Sequence, residues 1–379
     1  MVAQQYAFHG VIEHLRYRKA FVAGIGDPFA EQRKLTNRGL FVRVTSVEIL
    51  QDNLVGRFVR RHGTVSLDIG MSGVQTIAVA EDEDGLRLDR WFKRHLPQVG
   101  FGTVSKWART GQIRVDGKVG FNPEHPMLDH FRYLAGVANV MPKMTIPSPS
   151  VLHFRGGRKK IDSGVYPSLD AFFADTADAY RDAIRAFYEA GCRYLQLDDT
   201  VWAYLCSEKE LQAARDRGDD PDQLQAIYAE MINHALADKP DDLYVSLHVC
   251  RGNFRSTWIS EGGYEPVAET LFGKVGVDAW FLEYDSDRAG SFDPLRFIPE
   301  GHQQAVLGLI TTKVGELEDP QAVRARLDEA TQFVDKQQLC LSPQCGFAST
   351  EEGNNLAEQA QWDKIRLTLE IANAYWGQG

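Results

Sequence analysis

From about residue 142 onward, short apolar runs alternate with amphipathic helical stretches, and this rhythm leaves the chain few folds. The runs are Lys143–Ile146, Arg193–Leu197, Leu243–Val249, Val277–Leu282, Ala305–Ile310 and Gln338–Leu341. Between them lie Leu169–Ala190, Pro221–Ala237 and Pro320–Phe333, with Ser168 or Asp170 as candidate caps for the first and Pro320 opening the last. Strands that alternate with helices of this length predict a parallel sheet with helices outside it. Continuous apolar runs fit strands covered on both faces. No G-x-G-x-x-G follows any of the runs, so a TIM-type (β/α)8 barrel is favoured over an open dinucleotide-binding sheet.

Polar residues cluster just after each run: Ser148 with Ser150, Asp198 with Asp199, His248 with Cys250, Glu283 with Asp285, Thr312 with Lys313, and Ser342 through Cys345. One or two such residues would be ordinary turn formers or helix caps. Six in series mark the strand ends at which a barrel builds its active site.

Four of these residues carry metal-binding chemistry. Side chains at i and i+2 of a strand share a face, so His248 and Cys250 can hold one ion together. Glu283 and Cys345 arrive from later strand ends and complete an imidazole, two thiolates and a carboxylate, a donor set suited to zinc. A sulfur-rich shell suits a zinc that binds an incoming thiol and keeps it as thiolate. The plain alternative is that both cysteines are small core hydrophobes and His248 a satisfied strand histidine. Downstream, Arg251, Asn253, Arg255 and Trp258 form either a binding loop for a carboxylate or polyglutamate tail, with Trp258 as its aromatic face, or a loop packed on the barrel rim.

Bulk properties narrow the setting. No stretch approaches the roughly 20 apolar residues that span a bilayer, and the first residues show no basic segment followed by an apolar core. Five unevenly spaced cysteines argue against a disulfide framework and for reduced thiols, so a cytoplasmic location is expected. Residues 1–118 hold 18 Lys/Arg against 12 Asp/Glu, which leaves 24 against 40 downstream. An acidic C-terminal part argues against a nucleic-acid role there, whereas the basic N-terminal part leaves one open.

The segments TIPSPSVLHFRGG, GCRYLQLDDTVWAYL, HVCRGNFRSTW, GGYEPVAETLF, FLEYD, VLGLITTKVGELE and LCLSPQCGFAST run in order from Thr145 to Thr350. From about Gly120 to the C-terminus the chain thereby resembles the catalytic barrel of cobalamin-independent methionine synthase and its single-barrel relatives. The resemblance implies zinc on His248, Cys250, Glu283 and Cys345. It also implies methyl transfer from a methyl-folate to a thiol such as homocysteine, and Asp198 as partner of the substrate's amino group. Asp199 beside it is either a second substrate contact or a helix cap. Lys313 stands where the large enzymes place a proton-donating histidine, and is a candidate acid or carboxylate clamp. The strings His-Val-Gly-Ser and Thr-Asp-Gly-Glu, which contact the amino-acid substrate in the single-barrel relatives, are absent from this chain.

Residues 76–118 read differently, and the stretch 81–120 reads as two short helices, a strand and an Asp-Gly turn. Through GLRLDRWFKRHLP and SKWARTGQIRVDGK they resemble the small RNA-binding module of pseudouridine synthases. Arg90, Lys93, Arg94, Lys106 and Arg109 fall at helical spacing and form a candidate phosphate-binding face. Three regions are therefore expected: an unassigned 1–75, the basic module at 76–118, and a zinc barrel over 119–379. Leu40–Val44 and Thr64–Ile69 are candidates for the first two barrel strands, without which six parallel strands leave open edges. The alternative to a zinc methyltransferase is a non-catalytic fusion protein with an RNA- or phosphate-binding N-terminal module.

Overall fold

The computed structural model describes residues 64–68, 74–78, 80, 88–97, 113–115, 118–123, 125–154, 156–348 and 353–377. They form an α/β fold around a six-stranded sheet whose order follows the chain: β4 (Lys143–Pro147), β5 (Tyr194–Asp199), β6 (Tyr244–Val249), β7 (Ala279–Glu283), β8 (Gln304–Ile310) and β9 (Leu339–Pro343). Every neighbouring pair is parallel. Each strand falls within two residues of an apolar run read from the sequence. The architecture is that of a TIM-type barrel, represented among the described residues by six consecutive strands.

The sheet is dry on both faces, which is why its strands are apolar without alternation. On one face Leu195, Leu197, Val245, Leu247, Leu282, Leu307 and Leu341 join the main core under the helices. On the other, Tyr194, Ala279, Phe281, Val306 and Cys340 form a separate cluster. Lys143 is buried there, its ammonium 4.5 Å from the Tyr194 ring centre and 4.0 Å from that of Phe281. Burial holds that ammonium far below the usual lysine range.

The long helix Leu169–Glu189 buries Phe172, Phe173, Thr176, Ala177, Tyr180, Ala183, Ile184 and Phe187, one stripe at helical spacing. Ser168 holds its N-cap position but makes no side-chain cap bond. The helices Pro221–Leu236 and Pro320–Ala330 each open on proline, and the preceding Asp220 and Asp319 accept the first free N–H groups.

The N-terminal strands correct one expectation. Thr64–Asp68 (β1) does not enter the barrel; it pairs antiparallel with β2 (Val74–Ala78) and β3 (Ile113–Val115), in the order β2-β1-β3. Five residues separate β1 from β2, a length that suits an antiparallel neighbour, whereas a parallel neighbour needs a crossover of a dozen or more residues. Leu40–Val44 lies outside the described residues. In the basic segment the helix Leu88–His95 forms, with Trp91 and Phe92 buried and Arg90, Lys93 and Arg94 exposed. Lys106 and Arg109 lie outside the described residues.

Candidate metal centre

Three strand ends bring four side chains to one point. His248 sits near the end of β6 with Cys250 just beyond it, Glu283 is the last residue of β7, and Cys345 follows β9 by two residues. One ligand atom from each lies within 4.8 Å of every other. The two sulfurs are 3.9 Å apart, and His248 Nε2 is 3.7 Å from Glu283 Oε1.

The surroundings prepare these atoms for a cation. His248 Nδ1 is 3.3 Å from the Phe281 carbonyl oxygen, which accepts a hydrogen bond there, so Nε2 is the nitrogen turned to the other candidate ligands. Nε2 is buried with no hydrogen-bond partner among the described residues. A buried imidazole nitrogen aimed at two sulfurs and a carboxylate, and bonded to none, fits zinc in donor type and count. The Gly252 N–H points at Cys250 Sγ from 3.4 Å and supports negative charge there. Glu283, fully buried, accepts from the Arg251 backbone N–H at 2.8 Å, from Arg288 Nη2 at 3.2 Å and from Gln344 Nε2 at 3.3 Å.

Gly308 makes this approach feasible. It lies opposite Glu283 in the sheet, at the register shift between β8 and β9. A Cβ there would stand 2.5 Å from Gln344 Cα and 2.8 Å from the Leu282 carbonyl oxygen.

The electrostatics are those of crowded, desolvated ligands. The two sulfurs share a proton: the hydrogen bond from Cys250 holds the Cys345 thiol well below the usual range and Cys250 well above it. Burial alone would lower His248, but the neighbouring Cys345 sulfur, Asp198 and Glu283 push it up to about 9. Burial and the Cys345 charge raise Glu283 to about 7.

The other predicted site residues divide. Asp198 lies in register with His248 on the same sheet face, and its Oδ1 is buried without a partner among the described residues. Burial raises its carboxyl to about 6. Asp199 points to the opposite face, as the next residue of a strand must. It accepts from Ser150 Oγ at 2.5 Å and from the Val201 N–H at 2.6 Å, so it caps the turn Val201–Tyr204. Lys313 is nearly buried, with Nζ 3.3 Å from Asn253 Oδ1. Asn253 in turn donates to Thr312 Oγ1, and Thr312 to Gln344, whose amide reaches Glu283. Arg251 meets Glu283 through its backbone; its guanidinium is buried over the Tyr264 ring, 4.4 Å from the centre. Trp258 is half exposed, with the Arg288 guanidinium 5.3 Å from its ring centre.

Sequence reasoning passed over Arg288 and Gln344 as contributors. The signal for Arg288 was a cation following the carboxylates of Glu283 and Asp285; Gln344 had only its place beside Cys345.

The parallel barrel-type sheet carries at its strand ends a sulfur-rich cluster of candidate metal ligands. Residues 161–366 match the family described as "Cobalamin-independent synthase, Catalytic domain". Two Bacillus subtilis (strain 168) proteins, the uncharacterized proteins YxjH and YxjG, are 51% and 50% identical over 282 residues, 74% of this chain and 74% of each of them. The crystal structure of a candidate vitamin-B12 independent methionine synthase from Listeria monocytogenes is similar at 42% identity and a TM-score of 0.57, over 70% of this chain and 74% of that one. The chain belongs to the cobalamin-independent synthase family, through its catalytic domain. The family match does not reach residues 76–118, and the likeness of that segment to an RNA-binding module has no counterpart in these relatives' names.

Proposed function

We propose that this protein is a zinc-dependent methyltransferase that methylates a small thiol such as homocysteine, a methionine-forming reaction, with a methyl-folate as donor. The observation that carries the reading is the meeting of His248, Cys250, Glu283 and Cys345 within 4.8 Å, on strand ends of a barrel-type sheet. The family supports it, as does the naming of the Listeria relative. Zinc held by these four residues would supply a site at which a thiol loses its proton at neutral pH and becomes the nucleophile.

The remaining work falls to the chain's own side chains. Asp198, on the cluster's face of the sheet, would take the substrate's ammonium group. Lys313, anchored through Asn253, is a point charge for the substrate carboxylate or an acid for the departing donor. Trp258 offers an exposed ring at the mouth, suited to a planar donor. Buried apolar side chains, Tyr194, Ala279, Phe281, Val306 and Cys340, lie on the same sheet face, and a low-dielectric neighbourhood strengthens charge contacts.

Zinc per chain, measured in the wild type and in Cys345→Ala, tests the reading. The wild type is expected to hold one ion and the variant to lose it; equal metal content in both would end the assignment. Thiol methylation by the zinc-loaded wild type, followed with homocysteine and methyl-folate, tests the substrates.

A further inference from the structure

Arg288 is the most heavily engaged cation around the cluster. Its Nη2 donates to Glu283 Oε2 at 3.2 Å and to Asp285 Oδ1 at 2.6 Å, its Nη1 donates to Ser286 Oγ at 2.9 Å, and its guanidinium carbon lies 5.3 Å from the Trp258 ring centre. The Arg288 side chain is 7% exposed. These contacts give the two Glu283 oxygens different surroundings. Oε1 accepts the Arg251 N–H and faces His248 Nε2, whereas Oε2 is taken by Arg288 and Gln344.

We propose that Arg288 is a positioning residue that makes Glu283 a one-oxygen ligand, presenting Oε1 to the metal and withholding Oε2. The inference rests on the zinc reading of the cluster. A carboxylate on a flexible stem can offer a cation either oxygen or both. One whose outer oxygen is bonded to a cation and an amide can offer only the inner one. Asp285 sets the guanidinium in place before any ligand arrives, since Arg288 bridges the two carboxylates. Trp258 stands beside the bridge, its ring centre 5.3 Å from the Arg288 guanidinium. Sequence spacing supports the arrangement: Asp285 and Arg288 follow Glu283 on the turn that leaves β7, so the strand that delivers the ligand also delivers its clamp.

The test uses the full chain, with zinc affinity read by competition against a chromogenic chelator and the coordination shell read from the absorption spectrum of the cobalt(II)-substituted protein. In Arg288→Gln, zinc affinity is expected to fall about 10- to 100-fold. The cobalt ligand-field bands are expected to shift while the sulfur-to-cobalt charge-transfer bands persist, because both thiolates remain. Placing Arg288→Gln on a Glu283→Gln background should add nothing to the Glu283→Gln change. If Arg288→Gln does not fold, Arg288→Gln with Asp285→Asn removes both charges of the bridge and is read in the same way. Unchanged affinity and spectrum, or an equal further loss on the Glu283→Gln background, overturns the proposal. A wild type that binds no zinc overturns the metal reading instead, before any variant is compared.

Discussion

Asp198 and His248 stand opposite one another on neighbouring parallel strands, so a carboxylate and an imidazole share the inner face of the sheet. The pairing couples Asp198 electrostatically to the candidate metal ligands. The Asp198 charge raises His248, and His248 in turn opposes the burial that raises Asp198. Asp198 has a buried oxygen without a partner among the described residues and is not one of the four clustered ligands.

Asp198→Asn should therefore separate substrate binding from metal binding. Losing a charge-assisted bond to an ammonium group costs about 1.5–3 kcal/mol, roughly a 10- to 100-fold rise in KM for an amino-acid thiol. Zinc content should stay at the wild-type value. An unchanged KM would remove Asp198 from the substrate site.

Asp199→Ala should behave in the opposite manner. This variant loses the cap on Val201–Tyr204 and leaves Ser150 without its acceptor, at a cost of about 2 kcal/mol in stability. Thermal unfolding should show the loss, while zinc per folded chain and KM remain as in the wild type. A raised KM with unaltered stability would instead mean that Asp199 touches substrate.

Metal affinity should rise with pH. Ligand atoms must be deprotonated to bind, so protons and metal compete. In the metal-free chain Glu283 is raised to about 7 and His248 to about 9. Raising the pH through these values removes the competing protons, so affinity should climb between about pH 6 and pH 9, roughly tenfold per unit for each proton displaced. Chelator competition across that range, with proton release recorded in weak buffer, measures the slope. A flat profile would contradict the raised values.

Gly308→Ala should harm the site from behind. The added methyl would meet Gln344 Cα and the Leu282 carbonyl, both backbone, so the β8–β9 register must shift. Overpacking of this kind costs about 1–3 kcal/mol. Displacing Gln344 also removes a donor from Glu283. A lower melting temperature together with weaker zinc binding is expected; loss of stability alone would show that Gln344 does not support the ligand.

Much of this was legible in the chain. The apolar runs located the six parallel strands of the described residues to within two residues, because strands covered on both faces are mostly apolar along their length. His248 and Cys250 were readable as a pair from strand parity. The same parity separates Asp198 from Asp199, but only once the face holding the site is known. Arg251 illustrates a different limit: the sequence left it as either a carboxylate-binding arginine or part of a loop packed on the rim, and only the fold lays its guanidinium over Tyr264, with Nε donating to the Tyr264 hydroxyl and the backbone N–H to Glu283. Thr64–Asp68 had strand character, but nothing in its residues states which partner it takes, and it chose an antiparallel one.

The chain's own order of residues determined the period of the sheet, the ligand chemistry and the place of each ligand at a strand end, since these depend on neighbours within a few positions. Only the tertiary structure decided that Cys345 meets Cys250 across 95 residues, and that Arg288 and Gln344 close on the outer oxygen of Glu283. Those contacts depend on strand register, on a bulge at Gly308 and on how loops fold back over the barrel mouth. Such distances are set by packing, which sums over the whole molecule and leaves no local trace in sequence.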